Sequence, residues 1–229
     1  MEEMEGISFG GVTFTDLRYA DDVVLAEDKR KKLQKMIDKL KVTCKEYGKD
    51  IDVKKTKVMV VGRDGEEDVS QECFTLDGVH LEKTNRFKYL GSWITEDARY
   101  EEDIKARMGL AGTAFWQNKE VMRGNIRLST KLKILNSYVF SIASYGCESW
   151  TWNKKMRQKV YALEMWCYRK MLKINYRYRI INMEALSRMH TEMHFLKDMM
   201  RRKMKYAGDV LRGSAGVTHL QYYRGKWKE

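Results

Sequence analysis

The chain has 229 residues, 43% hydrophobic and 33% charged, enough for one large domain or two modest ones with a real core. Its formal net charge of +12 is unevenly spread: residues 1–98 hold 17 Lys+Arg against 21 Asp+Glu (−4), and residues 99–229 hold 27 against 11 (+16). No apolar run reaches the roughly 18–20 residues of a membrane span, no signal peptide opens the chain, and Cys44, Cys73, Cys147 and Cys167 form no C-x-x-C pair. A membrane anchor, a zinc knuckle and a disulfide framework are therefore disfavoured.

From Ile7 to Ala26 the sequence predicts two short strands around the polar turn Ala20-Asp21-Asp22, a buried hairpin with an acidic tip. Lys29 to Tyr47 has a helical period, with Leu33, Met36, Ile37, Leu40, Cys44 and Tyr47 on one face, and Gly48 stands where a C-cap belongs. Ile51 to Val61 reads as a strand, and residues 63–72 as an acidic loop. Asp77-Gly78 marks a hairpin within Phe74–Leu81, and Phe87 to Ile94 reads as a strand interrupted by Gly91.

Beyond Tyr100 the pattern becomes helical. Ile104, Met108, Ala111 and Phe115 line one helix, closed by Gly124. Ser129 is the expected N-cap of the next, with Leu132, Leu135, Val139 and Ile142 inward. Further helices are expected at residues 154–173, 183–189 and 195–211, the last closed by Gly213. Average usage of about 5% would give roughly eleven prolines; there are none, which favours uninterrupted helices. The fold class expected is α+β, divided as residues 1–98, residues 99–150 and a basic helical extension, 151–229.

Two adjacent carboxylates at a tight turn repel each other unless a cation offsets them. Magnesium suits Asp21 and Asp22, because it takes oxygen ligands and is commonly held by one or two carboxylates plus substrate phosphates. A solvated Asp-Asp turn is the alternative. His190 and His194 have no evident third ligand and read as ordinary surface or packing histidines. Trp166 reads as core. Tyr176-Arg177-Tyr178-Arg179 reads as an inter-helix loop, and Arg201-Arg202-Lys203 as one face of a basic helix. Both offer phosphate or base contacts, or merely solvated charge.

Leu17-Arg18-Tyr19-Ala20-Asp21-Asp22-Val23-Val24-Leu25 resembles the F/Y-A-D-D hairpin of reverse transcriptases in non-LTR (LINE-type) retrotransposons. Four further segments follow in that family's order. Residues 29–56 resemble its helix and G-L-x-I-N-x-x-K-T strand, with Lys49 and Asp52 in place of the usual Leu and Asn. Phe87-Lys88-Tyr89-Leu90-Gly91-Ser92 resembles its F-K-Y-L-G primer grip. Asp103-Ile104-Lys105-Ala106-Arg107 resembles the helix opening its thumb, and Tyr145-Gly146-Cys147-Glu148-Ser149-Trp150 its Y-G-x-E-x-W segment.

The resemblance implies a partial palm, a helical thumb and RNA-directed DNA synthesis. It makes Asp21 and Asp22 the catalytic, magnesium-binding pair. Tyr19, Ala20 and Lys55 would lie at the nucleotide, although Lys54 and Lys57 are equally available. Tyr89, Leu90 and Gly91 would hold the primer end, and Arg107 in the thumb-opening helix would contact nucleic acid, as Arg177, Arg179, Arg201, Arg202 and Lys203 would on the charge reading above. It implies magnesium, deoxynucleoside triphosphates, an RNA template with a DNA primer or an RNA–DNA duplex, and a nuclear location.

The family's upstream F-x-D carboxylate and its proline-containing P-Q-G segment do not occur in these residues. The expectation is therefore a piece of a larger polymerase, its remaining palm and fingers supplied elsewhere, that does not polymerise alone. A non-catalytic nucleic-acid-binding module from a truncated or domesticated element is the alternative.

Overall fold

The computed structural model describes residues 6–9, 12–62 and 73–212. The chain divides into two units, one reaching to Phe87 and joined by the end of the terminal helix from Ala207, the other running from Lys88 to Tyr206. Small hairpins and one helix build the first, and helices dominate the second, so the class is α+β as expected.

In the first unit, β1 (Ile7–Phe9) pairs with β2 (Val12–Phe14), and β3 (Asp16–Tyr19) with β4 (Asp22–Leu25), all antiparallel. The region predicted as one hairpin holds two, because each pairs locally: Ile7↔Phe14 closes the first before Asp16↔Leu25 opens the second. The second hairpin is not buried as expected. Leu17, Tyr19 and Val23 are exposed, and only Leu25 at its base reaches the core.

Helix α1 (Arg30–Glu46) follows its predicted bounds closely and turns Met36 and Ile37 inward. Gly48, at φ +66°, donates to Lys45 O, and Lys49 N–H donates to Cys44 O (2.8 Å), satisfying carbonyls that the helix end would leave open. The Gln34 side chain bonds both backbone groups of Thr75 (3.1 and 2.8 Å), tying the helix to the edge of β6 (Thr75–Leu76). Strand β6 turns through Asp77-Gly78 into β7 (Val79–His80), and both turn residues have positive φ (55° and 75°), the type I′ pattern the dipeptide predicts. Ile37, Val58, Phe74, Leu76 and Leu81 form the core.

The strand expected over residues 51–61 is mostly not formed: residues 53–55 turn and most of the rest has no regular structure. Asp52 captures the local backbone: its carboxylate accepts Lys54 N–H (2.9 Å), and its carbonyl accepts Thr56 N–H (2.9 Å) and the Thr56 hydroxyl (2.8 Å). Only β5 (Lys57–Val58) is extended, parallel to β8 (Glu82–Lys83). The acidic loop predicted at 63–72 lies outside the described residues.

Strand β9 (Arg86–Tyr89) and β10 (Ser92–Thr95) are the two halves of the predicted interrupted strand, and Leu90-Gly91 is the turn between them. Helix α2 (Glu101–Gln117) buries Ile104, Ala111 and Phe115. It stops before Gly124, at Asn118, whose amide donates to Ala114 O (2.8 Å); the short α3 (Lys119–Arg123) intervenes. The next helix, α4 (Leu128–Ile134), starts ahead of the expected cap: Arg127 holds the N-cap position in an extended conformation, and no side chain caps it. It widens into a π-helical stretch, Leu135–Phe140, and ends as α5 (Ser141–Ala143). The wider turn lets Phe140 face inward with Leu135 and Val139, and Phe140 stacks on Phe195 with centroids 4.0 Å apart.

Asn153 caps α6 (Lys154–Met171) by accepting Met156 N–H (2.8 Å). After a 3₁₀ turn (Tyr176–Tyr178) come α7 (Asn182–Met189) and α8 (Phe195–Leu211). Gly213 and the tail lie outside the described residues. Trp166 packs its ring against Phe115 (5.0 Å) and Trp116 (5.9 Å), a core position as read from its spacing. Cys147 and Cys167 are buried free thiols, and burial pushes the Cys147 thiol up to about 11, which keeps it inert. Cys73, by contrast, is exposed.

Candidate functional site

Two places gather the residues singled out by the sequence, one in each unit. In the first, Tyr19 pairs with Asp22 across the hairpin, leaving Ala20-Asp21 as a two-residue loop. Ala20 alone of these two has positive φ (51°), a position that normally takes glycine. Holding alanine there costs on the order of 1–2 kcal/mol. Ala20→Gly removes that strain but loosens the unfolded chain. We expect a net gain of about 0.5–1 kcal/mol in the first unit's unfolding free energy, read by hydrogen exchange of its amides; a loss of stability would show the turn to be unstrained.

The acidic tip is open to solvent. The Asp21 carboxylate is 98% exposed, Asp22 and Tyr19 are also exposed, and Lys49 Nζ stands 3.9 Å from Asp21 Oδ1. That pair is solvent-screened and worth little for stability, yet it puts a cation beside the carboxylates where the family pattern has leucine. Among the described residues, no group of three His, Cys, Asp or Glu side chains could hold a metal. Two adjacent hard oxygen donors fit magnesium that arrives with phosphates; they do not form a protein cage. Lys55 projects from the Asp52 turn with its side chain 88% exposed and 3.8 Å from Asp52. Its neighbour Lys57 is taken by Glu82 (2.8 Å).

The second place is the Leu90-Gly91 turn. Both residues have positive φ (47° and 84°), and leucine is a poor occupant of that region. Side chains from the helical segments take both turn carbonyls: the Tyr145 hydroxyl donates to Leu90 O (3.0 Å), and Arg107 Nη2 donates to Gly91 O (2.5 Å). The Arg107 guanidinium also lies over the Tyr145 ring, 4.2 Å from its centroid. Gly91, at φ +84°, has a backbone conformation that side chains rarely adopt, and a Cβ there would only reach ordinary contact with Arg107 Nη2 (3.4 Å).

Beneath the turn lies a group that sequence reasoning did not single out. Asp103 is 2% exposed; its Oδ1 accepts Trp93 N–H (3.0 Å), its Oδ2 accepts the Trp150 indole N–H (3.0 Å), and Arg107 Nε is 3.8 Å away. Tyr145-Gly146-Cys147-Glu148-Ser149-Trp150 is thereby explained by use: Tyr145 grips the turn, Glu148 pairs with Arg202 (2.6 Å), and Trp150 donates to Asp103 while its carbonyl accepts from Lys203 (2.5 Å). The signal available in the sequence was the i, i+4 spacing of Asp103 and Arg107 on the inward face of α2.

These contacts place several expected nucleic-acid residues. Arg107 is 9% exposed and engaged with the turn. Arg202 binds Glu148 and Ser144, Lys203 binds the Trp150 carbonyl, and Arg201 points outward beside Asp198 (2.9 Å). Arg177 and Arg179 are exposed in the 3₁₀ turn. His190 ends α7 in a left-handed conformation, so it does not share a helix face with His194. An apolar depression of about 500 Å³, lined by Tyr161, Ala162, Met165, Asn182 and Met193, contains none of the residues singled out. No helix among the described residues is long and apolar enough to cross a membrane.

Comparison with known proteins reaches both turns but not the helical side chains that grip the second. The family model of reverse transcriptase (RNA-dependent DNA polymerase) matches residues 8–94, from the first hairpin through the Asp-Asp turn to β10. A transposon-derived protein of Caenorhabditis elegans is 28% identical over 214 residues, covering 90% of this chain and 75% of the relative. No solved structure matches the chain. Residues 8–94 are thus a reverse-transcriptase-like segment, in a chain similar over nine-tenths of its length to a transposon-derived protein.

Proposed function

We propose that the chain is a piece of a non-LTR, LINE-type retrotransposon reverse transcriptase, contributing the Asp-Asp turn, the primer grip and a thumb to RNA-templated DNA synthesis in the nucleus. One observation carries the reading: Tyr19-Ala20-Asp21-Asp22 folds as a strained two-residue hairpin that presents both carboxylates to solvent, inside the segment matched by the family model.

The chemistry assigned to each residue follows from what it can reach. Asp21 and Asp22 would hold magnesium together with the phosphates of a deoxynucleoside triphosphate, and the ion when bound supplies charge neutralisation on those phosphates. Lys55, exposed and loosely paired, adds a cation for the leaving pyrophosphate. Tyr19 and Ala20 flank the nucleotide. Tyr89, Leu90 and Gly91 hold the primer end of an RNA–DNA duplex, with Arg107 and Tyr145 as positioning residues that fix the turn.

The exposed Leu17, Tyr19 and Val23, on a hairpin that pairs with no further strand among the described residues, suit a surface covered by further palm and fingers segments. On this reading the 229 residues do not extend a primer by themselves.

The test is paramagnetic relaxation by Mn²⁺, a magnesium surrogate, on the amide spectrum of the full chain. Broadening is expected at residues 19–24, spreading to Lys55 when a deoxynucleoside triphosphate is added, and lost in the Asp21→Asn, Asp22→Asn double variant. Broadening centred elsewhere, or unchanged in that variant, would sink the assignment.

A further inference from the structure

Between Met165 and Met183 the sequence carries five cations (Arg169, Lys170, Lys173, Arg177 and Arg179) and no acidic residue. The middle of this stretch is the turn joining α6 to α7, and it is built rather than loose. The Asn175 side chain accepts Arg177 N–H (3.2 Å), Asn175 O accepts Tyr178 N–H (3.1 Å), and Arg179 closes the turn at φ +48°. From below, Arg169 Nη2 donates to Ile180 O and to Asn182 Oδ1, both at 2.8 Å, which pins the segment leaving the turn.

What this frame displays stays largely exposed among the described residues. Tyr176 is 83% exposed and Tyr178 69%, although tyrosine rings ordinarily bury much of their area. Arg177 lies 6.0 Å from the Tyr176 centroid, and neither Arg177 nor Arg179 has a carboxylate partner among the described residues. A further cation stands near Lys173. Lys131 is only 5% exposed, and its ammonium is held below its ordinary range first by burial and then by the charge of Lys173.

We propose that the Tyr176–Arg179 turn is a binding site for unpaired nucleotides, with bases stacking on Tyr176 and Tyr178 and flanking phosphates held by Arg177 and Arg179. Every base has a π-face, so such a platform takes single strands with little sequence preference. A phosphate footprint alone would need the arginines and not the exposed rings. A regular duplex has its bases already stacked and offers the rings nothing. The site lies beyond the segment matched by the reverse-transcriptase model and does not rest on the polymerase reading.

The experiment is fluorescence anisotropy of a labelled oligouridine with the full chain over a salt series, beside a double-stranded RNA of equal length. At about 1–3 kcal/mol per stacked base, Tyr176→Ala with Tyr178→Ala should weaken single-strand binding at least tenfold while leaving the salt slope and duplex binding unchanged. Arg177→Gln with Arg179→Gln should flatten the slope by about 1.4, from roughly 0.7 per phosphate contact on single strands. Retention of single-strand affinity in the tyrosine variant, or equal losses on duplex and single strand, overturns the proposal. So does a wild-type chain that does not bind oligouridine, the result expected if the rings serve a protein partner. Asp21→Asn and Asp22→Asn leave this binding untouched, so its failure and failure of the polymerase reading are separable.

Discussion

Asp103→Ala is expected to cost the helical unit about 3–5 kcal/mol, the range for removing one partner of a buried charge pair. The substitution takes one shared partner from three groups at once. The Trp93 amide and the Trp150 indole N–H lose their acceptor, and Trp150 is fully buried, so water does not replace it. Each unsatisfied buried donor costs about 1–3 kcal/mol. Arg107, 9% exposed, loses its carboxylate and keeps the Gly91 carbonyl and the face of the Tyr145 ring. A native domain holds roughly 5–15 kcal/mol in all, so the variant should populate an unfolded helical unit under mild denaturant.

Five of the six tryptophans (Trp93, Trp116, Trp150, Trp152 and Trp166) lie in that unit, and their emission during urea unfolding reads the effect directly. Trp150→Phe in a double-mutant cycle with Asp103→Ala isolates the indole–carboxylate bond, whose coupling should reach about 1 kcal/mol. A total loss below about 1 kcal/mol would mean that water or a shifted Arg107 replaces the carboxylate.

Local chemistry in this chain was legible, and long-range polar pairing was not. The α1 face as far as Cys44, the closure at Gly48 and the Asp77-Gly78 turn follow from residues within a few positions of each other and are observed, whereas Tyr47, read onto the same face, is exposed. Residues 51–61 read as a strand by composition, but a single aspartate offered the backbone a closer partner. At Ser129 the cap signal was present and unused, because the helix already begins at Leu128. The basic face at 201–203 shows the larger limit. Its charges suggested phosphate contacts, yet Arg202 and Lys203 are committed to Glu148 and to the Trp150 carbonyl, more than fifty residues away. Reversing those charges would therefore disturb the Tyr145–Trp150 segment before it reported on nucleic acid. For the candidate site, the sequence marked the acidic turn and an interruption at Gly91; that the interruption is a tight turn gripped by Arg107 and Tyr145 needed the fold.

Glu164→Ala should be the second most damaging change, at about 2–4 kcal/mol, and Glu164→Gln should recover most of that loss. Glu164 is fully buried on α6 and caps α8: its Oε1 accepts the backbone N–H groups of His194 (2.9 Å) and Phe195 (3.1 Å), which open that helix. The same oxygen accepts the Tyr168 hydroxyl (2.9 Å), and burial, then the charge of Glu164, pushes the Tyr168 phenol up so that it stays a donor. Alanine leaves the two backbone donors without their acceptor, leaves the Tyr168 hydroxyl only His194 Nδ1 (3.3 Å), and frees the start of the helix whose Phe195 stacks on Phe140. The other oxygen, Oε2, has no partner among the described residues, so half of the carboxylate is desolvated without return. Glutamine keeps the Oε1 acceptor and replaces that orphaned oxygen with an amide. What it gives up is the negative charge at a helix N-terminus, worth about 0.3–1 kcal/mol and up to about 2 where partly buried. Tryptophan-monitored unfolding of both variants separates the two contributions. Equal losses for alanine and glutamine would assign the effect to charge against the helix dipole; a glutamine variant near wild type would assign it to the three hydrogen bonds.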